Sequence, residues 1–327
     1  MDGGDGRAVT VRRGTVSVRT GGAVAIVRGA AIPADAAEAL RAATAASRSP
    51  ATVRAYGAAW RAWEAWARGH GMDPMPAAPE HVAAYLAHRA AHGACMATLR
   101  MATAAIAAAH GFRGRTSPCR DRAVSEAMRG IARVAAGAGR AVRQARGLTA
   151  EAVAAIRGSL GARADTPSGA LTMAIASVTA DAGLRRSEAA ALLWGDIVRG
   201  ADGSGRITVR RSKTDREGEG AVVAVTAAAM DDLDRLAGLR HGGTPDPEAR
   251  VFGIGDRQIS RRIAAAARDA GLGEGFSGHS GRVGMALRMT RNGAPAATVM
   301  RQGRWSTTRM VARYTRNEAA GEALRYL

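Results

Sequence analysis

Ser277-Gly278-His279-Ser280-Gly281-Arg282-Val283-Gly284 sets His279 and Arg282 three residues apart at the expected start of a helix. Residues at that spacing share a helix face, so both side chains can address one anion. The free backbone N–H groups of a first helical turn favour the same anion. A histidine so placed is more often structural than catalytic, and the stretch gains its weight from three others. Ala182-Gly183-Leu184-Arg185-Arg186-Ser187-Glu188 puts Arg185 at a turn into a helix with Glu188 one turn on; an ordinary i,i+3 ion pair would read the same. Arg210-Arg211-Ser212-Lys213-Thr214 falls at a hairpin tip, where a solvated lysine is common. Gly303-Arg304-Trp305-Ser306 is followed by Arg309 and then by Tyr314, nine residues past the tryptophan. Tyr326 competes as a tyrosine, but it lies one residue from the end of the chain, where order is poorest.

Lys213 is the single lysine among 47 basic residues. A composition rich in Arg, Ala and Gly replaces Lys by Arg wherever the two are equivalent. A surviving Lys therefore points to a task that Arg cannot perform. Lysine, with a pKa near about 10.4, can be tuned to give up a proton, while arginine holds its own at any accessible pH.

Working outward, the 327 residues suffice for two domains, and 47% hydrophobic content argues against general disorder. Abundant Ala with 4% aromatics favours Ala-packed helices over a β-sandwich. The net charge of +19 calls for a polyanionic partner, nucleic acid being the commonest. No apolar run approaches the roughly 18 residues of a membrane span, and no signal peptide is read, so the expected location is the cytoplasm, with no membrane partner. Cys95 and Cys119 offer neither a disulfide framework nor a metal site.

Residues 1–33, Gly-rich, β-branched and basic, read as a flexible arm without helical period. Residues 34–137 read as a bundle of four or five helices. Ser49-Pro50 is a start signal, and Tyr56, Trp60, Trp63 and Trp66 form one stripe, best read as a core face. Pro79 opens a helix with Val82, Tyr85 and Leu86, and residues 94–110 and 121–136 supply two more. The Gly-framed stretch 138–147 reads as a linker. In residues 148–327, helices are expected at 149–158, 169–183, 186–194, 226–240, 257–270, 280–292 and 295–302, with a last pair ending the chain. Strands are expected at 205–211 and 220–225.

In order and spacing, Arg185, Lys213, His279-x-x-Arg282, Trp305 and Tyr314 resemble the signature of the tyrosine recombinases, the phage integrase family. The stretch Ser277–Gly284, and a tryptophan where most relatives carry a second histidine, resemble the Cre-type members. Ser49-Pro-x-Thr-x-x-x-Tyr56 and Pro79-Glu-x-Val-x-x-Tyr-Leu86 resemble the family's helical core-binding domain. The resemblance covers about residues 35–327. Three features depart from it: Val283 in place of a second histidine, Arg304 where a small Gly is usual, and only 13 residues after Tyr314 for docking onto a neighbouring subunit.

The resemblance implies a mainly α fold with a small β-sheet (α+β) in the catalytic domain, preceded by a SAM-like helical core-binding domain. It implies a C-shaped clamp on duplex DNA, inverted-repeat target sites and a homo-tetramer on two sites, associated with the nucleoid of a prokaryote or acting for a phage. It implies strand cleavage through a 3′-phosphotyrosine, with neither metal nor ATP. The roles then follow from side-chain chemistry. Tyr314 is the nucleophile, and Arg185 and Arg282 clamp the non-bridging oxygens. Trp305 donates its indole N–H, and His279 is the base or a further donor. Lys213 is the acid for the leaving 5′ oxygen, and Glu188 orients the arginines or His279. Arg54, Arg89, Arg100, Arg129, Arg210, Arg211 and Arg301 are candidates for DNA phosphate contacts. A type IB topoisomerase, with a related residue set, and a DNA-binding relative with a decayed site are the alternatives.

Overall fold

The computed structural model describes residues 9–12, 15–20, 23–28, 47–138, 144–210 and 219–323, together with residues 36, 38, 39 and 43. They form two compact units, Met1–Val142 and Arg143–Leu327.

In the first unit, β1 (Val9–Arg12), β2 (Thr15–Thr20) and β3 (Ala23–Arg28) pair antiparallel in sequence order, with Val16 opposite Val27. Residues 1–33 were expected to be a flexible arm without helical period; within them, residues 9–12, 15–20 and 23–28 form these strands. The physical reason is in the composition: β-branched residues alternate with others and glycines fall between the runs, which suits a meander. Four long helices follow: α1 (Pro50–Gly69), α2 (Pro79–Ala91), α3 (Met96–Phe112) and α4 (Arg122–Gly137). The Ser49 hydroxyl caps α1 by accepting from the Thr52 amide at 3.2 Å, and Pro50 sits at its first turn, as the sequence predicts. Trp63 is fully buried and packs edge-on against Tyr85 at 5.3 Å, with Leu86, Leu99, Ile106 and Val124 completing the core. Its indole N–H donates to the Pro74 carbonyl at 3.2 Å, so the aromatic stripe is a core face. His110 is also structural: buried, it accepts from the Ala77 amide at 2.9 Å and meets the Ile106 carbonyl at 2.8 Å.

The second unit is built round one helix. After α5 (Ala150–Leu160), α6 (Pro167–Ala182) is buried at every residue from Gly169 onward. Its Ala, Ser, Thr and Gly positions let neighbours approach closely on all sides, which explains why it shows no amphipathic period. Next come α7 (Arg186–Ala191), β4 (Ile197–Arg199), β5 (Gly205–Val209), β6 (Ala221–Val225) and α8 (Ala227–His241). The chain continues through α9 (Asp256–Asp269), α10 (Ser280–Arg291), α11 (Ala296–Gly303) and α12 (Thr308–Ala323). The three strands pair antiparallel in order β4-β5-β6. The fold is therefore mainly α with a small β-sheet in the second unit, as expected.

Asp181 fastens this unit. Its carboxylate accepts from the Thr226 amide at 2.8 Å and hydroxyl at 2.6 Å, and pairs with Arg288 at 2.6 Å. One buried acid thus ties α6 to the start of α8 and to α10.

Three local expectations differ. The helix expected at 186–194 ends at Ala191, because the Asp196 carboxylate takes the Leu193 amide at 3.0 Å and starts a 3₁₀ turn. That turn leads into β4, too short to show a period in the sequence. The last helix pair is one helix, α12. Residues Arg211 and Lys213, the hairpin tip and Tyr326 lie outside the described residues. Among the described residues, no helix is long and apolar enough to cross a membrane.

Candidate active site

The motif around His279 takes its shape from two glycines. Gly281 and Gly284 stand in the first turns of α10, where a Cβ on Gly281 would overlap the Thr179 backbone and one on Gly284 the Leu148 carbonyl. Without side chains there, α10 presses directly on the end of α6 and on the segment before α5. That contact delivers Arg282 to Gly183.

Gly183 ends α6 in the left-handed conformation at φ 55°, which a glycine adopts without strain. The chain then turns through buried Leu184 to Arg185, the N-cap of α7. Glu188, buried one turn on, accepts from the Arg185 amide at 2.8 Å and from its guanidinium at 2.6 Å. The Arg185–Glu188 pair is thus an enclosed one, unlike the surface ion pair that the spacing alone allowed.

Arg282 is 2% exposed, and its two terminal nitrogens donate to the Gly183 carbonyl at 2.7 Å and the Gly303 carbonyl at 2.6 Å. Its guanidinium carbon stands 5.0 Å from the centre of the Trp305 ring. Trp305 in turn stacks on Tyr314, with centroids 5.2 Å apart and planes 27° from parallel. Both rings are buried, yet the Trp305 indole N–H has no acceptor among the described residues. A buried donor left without a partner costs about 1–3 kcal/mol; Trp66, Trp194 and the Arg304 Nε are in the same state, and Trp305 differs from the two other tryptophans in standing against Arg282 and Tyr314.

Arg304 departs most from a sequence-based picture. Its backbone is left-handed at φ 52°, where a bulky side chain costs roughly 1 kcal/mol. The guanidinium offsets that strain by donating to the Ala182 and Gln302 carbonyls at 3.1 Å each, and to the Gly183 carbonyl and Glu188 Oε2 at 2.8 Å each. Gln302 clips α11 in place. Its amide nitrogen donates to the Ala224 carbonyl at 2.7 Å and the Asp181 carbonyl at 3.0 Å, and its oxygen accepts from the Ala224 amide at 3.1 Å.

The electrostatics follow from three guanidiniums round one buried carboxylate. Desolvation opposes the Glu188 charge, but Arg304, the Arg185 amide and the Arg185 guanidinium outweigh it and hold the carboxyl below its ordinary range. Burial, then repulsion from Arg185 and Arg304, pushes Arg282 down to about 10, against the pull of Glu188 and Tyr314. It stays charged at neutral pH all the same. His279, at the N-cap of α10, is lowered by desolvation and then by Arg282, Arg185, Arg186 and Arg313, which favours its neutral form. A neutral imidazole beside fixed cations can accept a proton.

The structure thus brings together Arg185, Glu188, His279, Arg282, Trp305 and Tyr314, while Lys213 lies outside the described residues. Arg304 and Gln302 were missed as site residues, although the Gly303-Arg304-Trp305 triplet carried a signal in the Arg at a position expected to be small. The candidate DNA-contact arginines do not share one environment. Arg54 and Arg100 are exposed on α1 and α3, and Arg129 on α4 lies near Glu126 at 3.9 Å. Arg89 donates to the Tyr85 hydroxyl at 3.1 Å, Arg210 pairs with Asp196 at 2.5 Å, and Arg301 donates to Thr298 at 3.3 Å. Arg211 lies outside the described residues.

The sequence model of the phage integrase family matches residues 148–320. An integrase/recombinase of Selenomonas ruminantium, named a XerD homolog, is 27% identical over 281 residues, covering 80% of this chain and 80% of its own. The Cre recombinase of Escherichia phage P1 is 28% identical over 266 residues, covering 74% of this chain and 77% of its own. The solved structure of the Tn1549 transposon integrase in complex with transposon right end DNA shares the fold, with a TM-score of 0.59. It is 13% identical, over 88% of this chain and 97% of its own.

Proposed function

The chain belongs to the phage integrase family of tyrosine recombinases, and on that premise we propose that it cleaves and rejoins duplex DNA at specific sites through Tyr314, without metal or ATP. The observation that carries this reading is the Trp305 indole N–H, buried without an acceptor among the described residues, on a ring that stacks on Tyr314 and lies against the Arg282 guanidinium. A phosphodiester oxygen is the acceptor that suits a donor so placed.

The Tyr314 phenol oxygen attacks phosphorus as His279 takes its proton. The bond from phosphorus to the 5′ oxygen breaks, and Lys213 supplies the proton to the departing oxygen. A 3′-phosphotyrosine remains and keeps the energy of the broken bond, so a 5′ hydroxyl can later reverse the step and free the tyrosine. Arg185 and Arg282 hold the non-bridging oxygens as charge grows on them, and Trp305 adds a donor that never titrates. Glu188 keeps Arg185 in its rotamer. The same reading takes inverted-repeat duplex sites as substrate and a homo-tetramer on two sites as the working assembly.

The test is covalent trapping on a library of duplexes carrying 5′-bridging phosphorothiolates, with denaturing gels and sequencing of the attached DNA. The expected result is an adduct lost in Tyr314→Phe and enriched in one inverted repeat. An adduct without sequence enrichment would favour a type IB topoisomerase, and binding without any adduct a decayed relative.

A further inference from the structure

We infer that Arg304 is a positioning residue of the strand-cleavage site, holding Arg185 through Glu188 and sharing with Arg282 the carbonyl of Gly183; the inference rests on the recombinase reading above. Four observations carry it. Arg304 is a bulky residue in a left-handed conformation at the end of α11, where its backbone N–H closes on the Arg301 carbonyl at 3.1 Å and its side chain adds four further hydrogen bonds. Its guanidinium is 5% exposed, so it is placed to act on its buried neighbours more than on DNA directly. It contacts Glu188 Oε2 at 2.8 Å, the same oxygen that accepts the Arg185 amide, while Glu188 Oε1 takes the Arg185 guanidinium. It also donates at 2.8 Å to the Gly183 carbonyl, which accepts Arg282 at 2.7 Å.

Arg304 is therefore bonded to one acceptor of each clamp arginine. With Arg304 removed, Glu188 keeps only Arg185 as a directly bonded cation among the described residues and gains freedom to rotate, and the Gly183 turn loses one of its two tethers. A lysine carries its three donors on one nitrogen, whereas the arginine fork meets these acceptors from two separate nitrogens in a fixed plane. The left-handed backbone also sets the direction in which Trp305 leaves α11, so the residue links three groups of the site.

The test uses the full-length protein and the phosphorothiolate duplex selected by trapping. Arg304→Gly suits the φ of 52° and relieves its backbone strain, but it also removes a buried ion pair, so rates are read well below the variant's own melting midpoint. Expected are an unchanged DNA Kd and adduct formation slowed by about 10- to 100-fold in protein that is fully folded. Arg304→Lys should not restore the rate, and Glu188→Gln with Arg304→Gly should be no slower than the slower single variant, because the two act in series. A rate for Arg304→Gly within about threefold of wild type, full rescue by lysine, or multiplicative effects in the double variant would each overturn the inference. A wild-type adduct lost in Tyr314→Phe, beside an unimpaired Arg304→Gly protein, overturns the role of Arg304 alone. No wild-type adduct at all would overturn both the role and the reading it rests on.

Discussion

Arg282 and Arg304 donate to the same oxygen, the carbonyl of Gly183, at 2.7 and 2.8 Å. Two cations on one acceptor repel each other, and that repulsion is part of what lowers Arg282. Three guanidiniums against the single Glu188 carboxylate leave a surplus of positive charge in a largely buried cluster. Under the proposed function, a phosphodiester entering beside them would supply the missing negative charge. The glycines that let α6, α10 and α11 touch are what gather these guanidiniums.

Trp305→Phe keeps an aromatic ring to stack on Tyr314, removes the indole N–H and leaves a small void where the second ring packed, at a modest cost in stability. Preorganised donors to a developing oxyanion contribute roughly a hundredfold in rate, so strand cleavage by the folded variant should fall by about that factor with DNA binding unchanged. Single-turnover adduct formation checks it. A rate close to wild type would mean that the N–H meets no substrate oxygen.

His279 gives a pH dependence whose sign is fixed by its surroundings. Desolvation and the cations Arg282, Arg185, Arg186 and Arg313 lower its pKa. It therefore stays neutral, and able to accept the Tyr314 proton, below the ordinary value of about 6.5. The acid limb of the cleavage profile should have its midpoint under that value and should vanish in His279→Gln. An acid limb at or above about 6.5, or one that survives in the variant, would remove His279 from the role of base.

How much of this was legible in the sequence differs from residue to residue. Arg185, Glu188, His279, Arg282, Trp305 and Tyr314 could be selected because each has a side chain whose chemistry is unusual at its spacing, and the structure places all six in one cluster. Ser49 marked a helix start because capping is local. Arg304 was not legible as a site residue, since its burial and its bonds to Glu188 and Gly183 depend on α6 and α11 meeting far apart in the chain. The strands at Val9–Arg12, Thr15–Thr20 and Ala23–Arg28 were obscured by their shortness and by the arginine that each carries, and β4 by its three-residue length.

Lys213→Arg keeps the charge and removes the ability to give up a proton, since arginine holds its own above about 12. Cleavage of an ordinary phosphodiester should slow strongly. Cleavage of the 5′-bridging phosphorothiolate should be nearly normal, because a thiolate leaves without a proton. Equal loss on both substrates would assign Lys213 to charge neutralisation instead of acid catalysis.

Gly284→Ala tests the close approach on which the site depends. The added methyl would overlap the Leu148 carbonyl, and backbone cannot rotate out of the way as a side chain can. Overpacking of this kind costs about 1–3 kcal/mol and displaces the helix that carries Arg282. Gly238→Ala is the matching control. It lies within α8 with nothing within 4 Å of an added Cβ, and there alanine should stabilise by about 0.5–1 kcal/mol. Urea unfolding of both variants should move the midpoint down for the first and up or not at all for the second. Adduct formation should fall in Gly284→Ala even at temperatures where the protein is fully folded, because Arg282 is then held away from Gly183. An unchanged midpoint and rate for Gly284→Ala would show that α10 can move off Leu148 without disturbing the arginine.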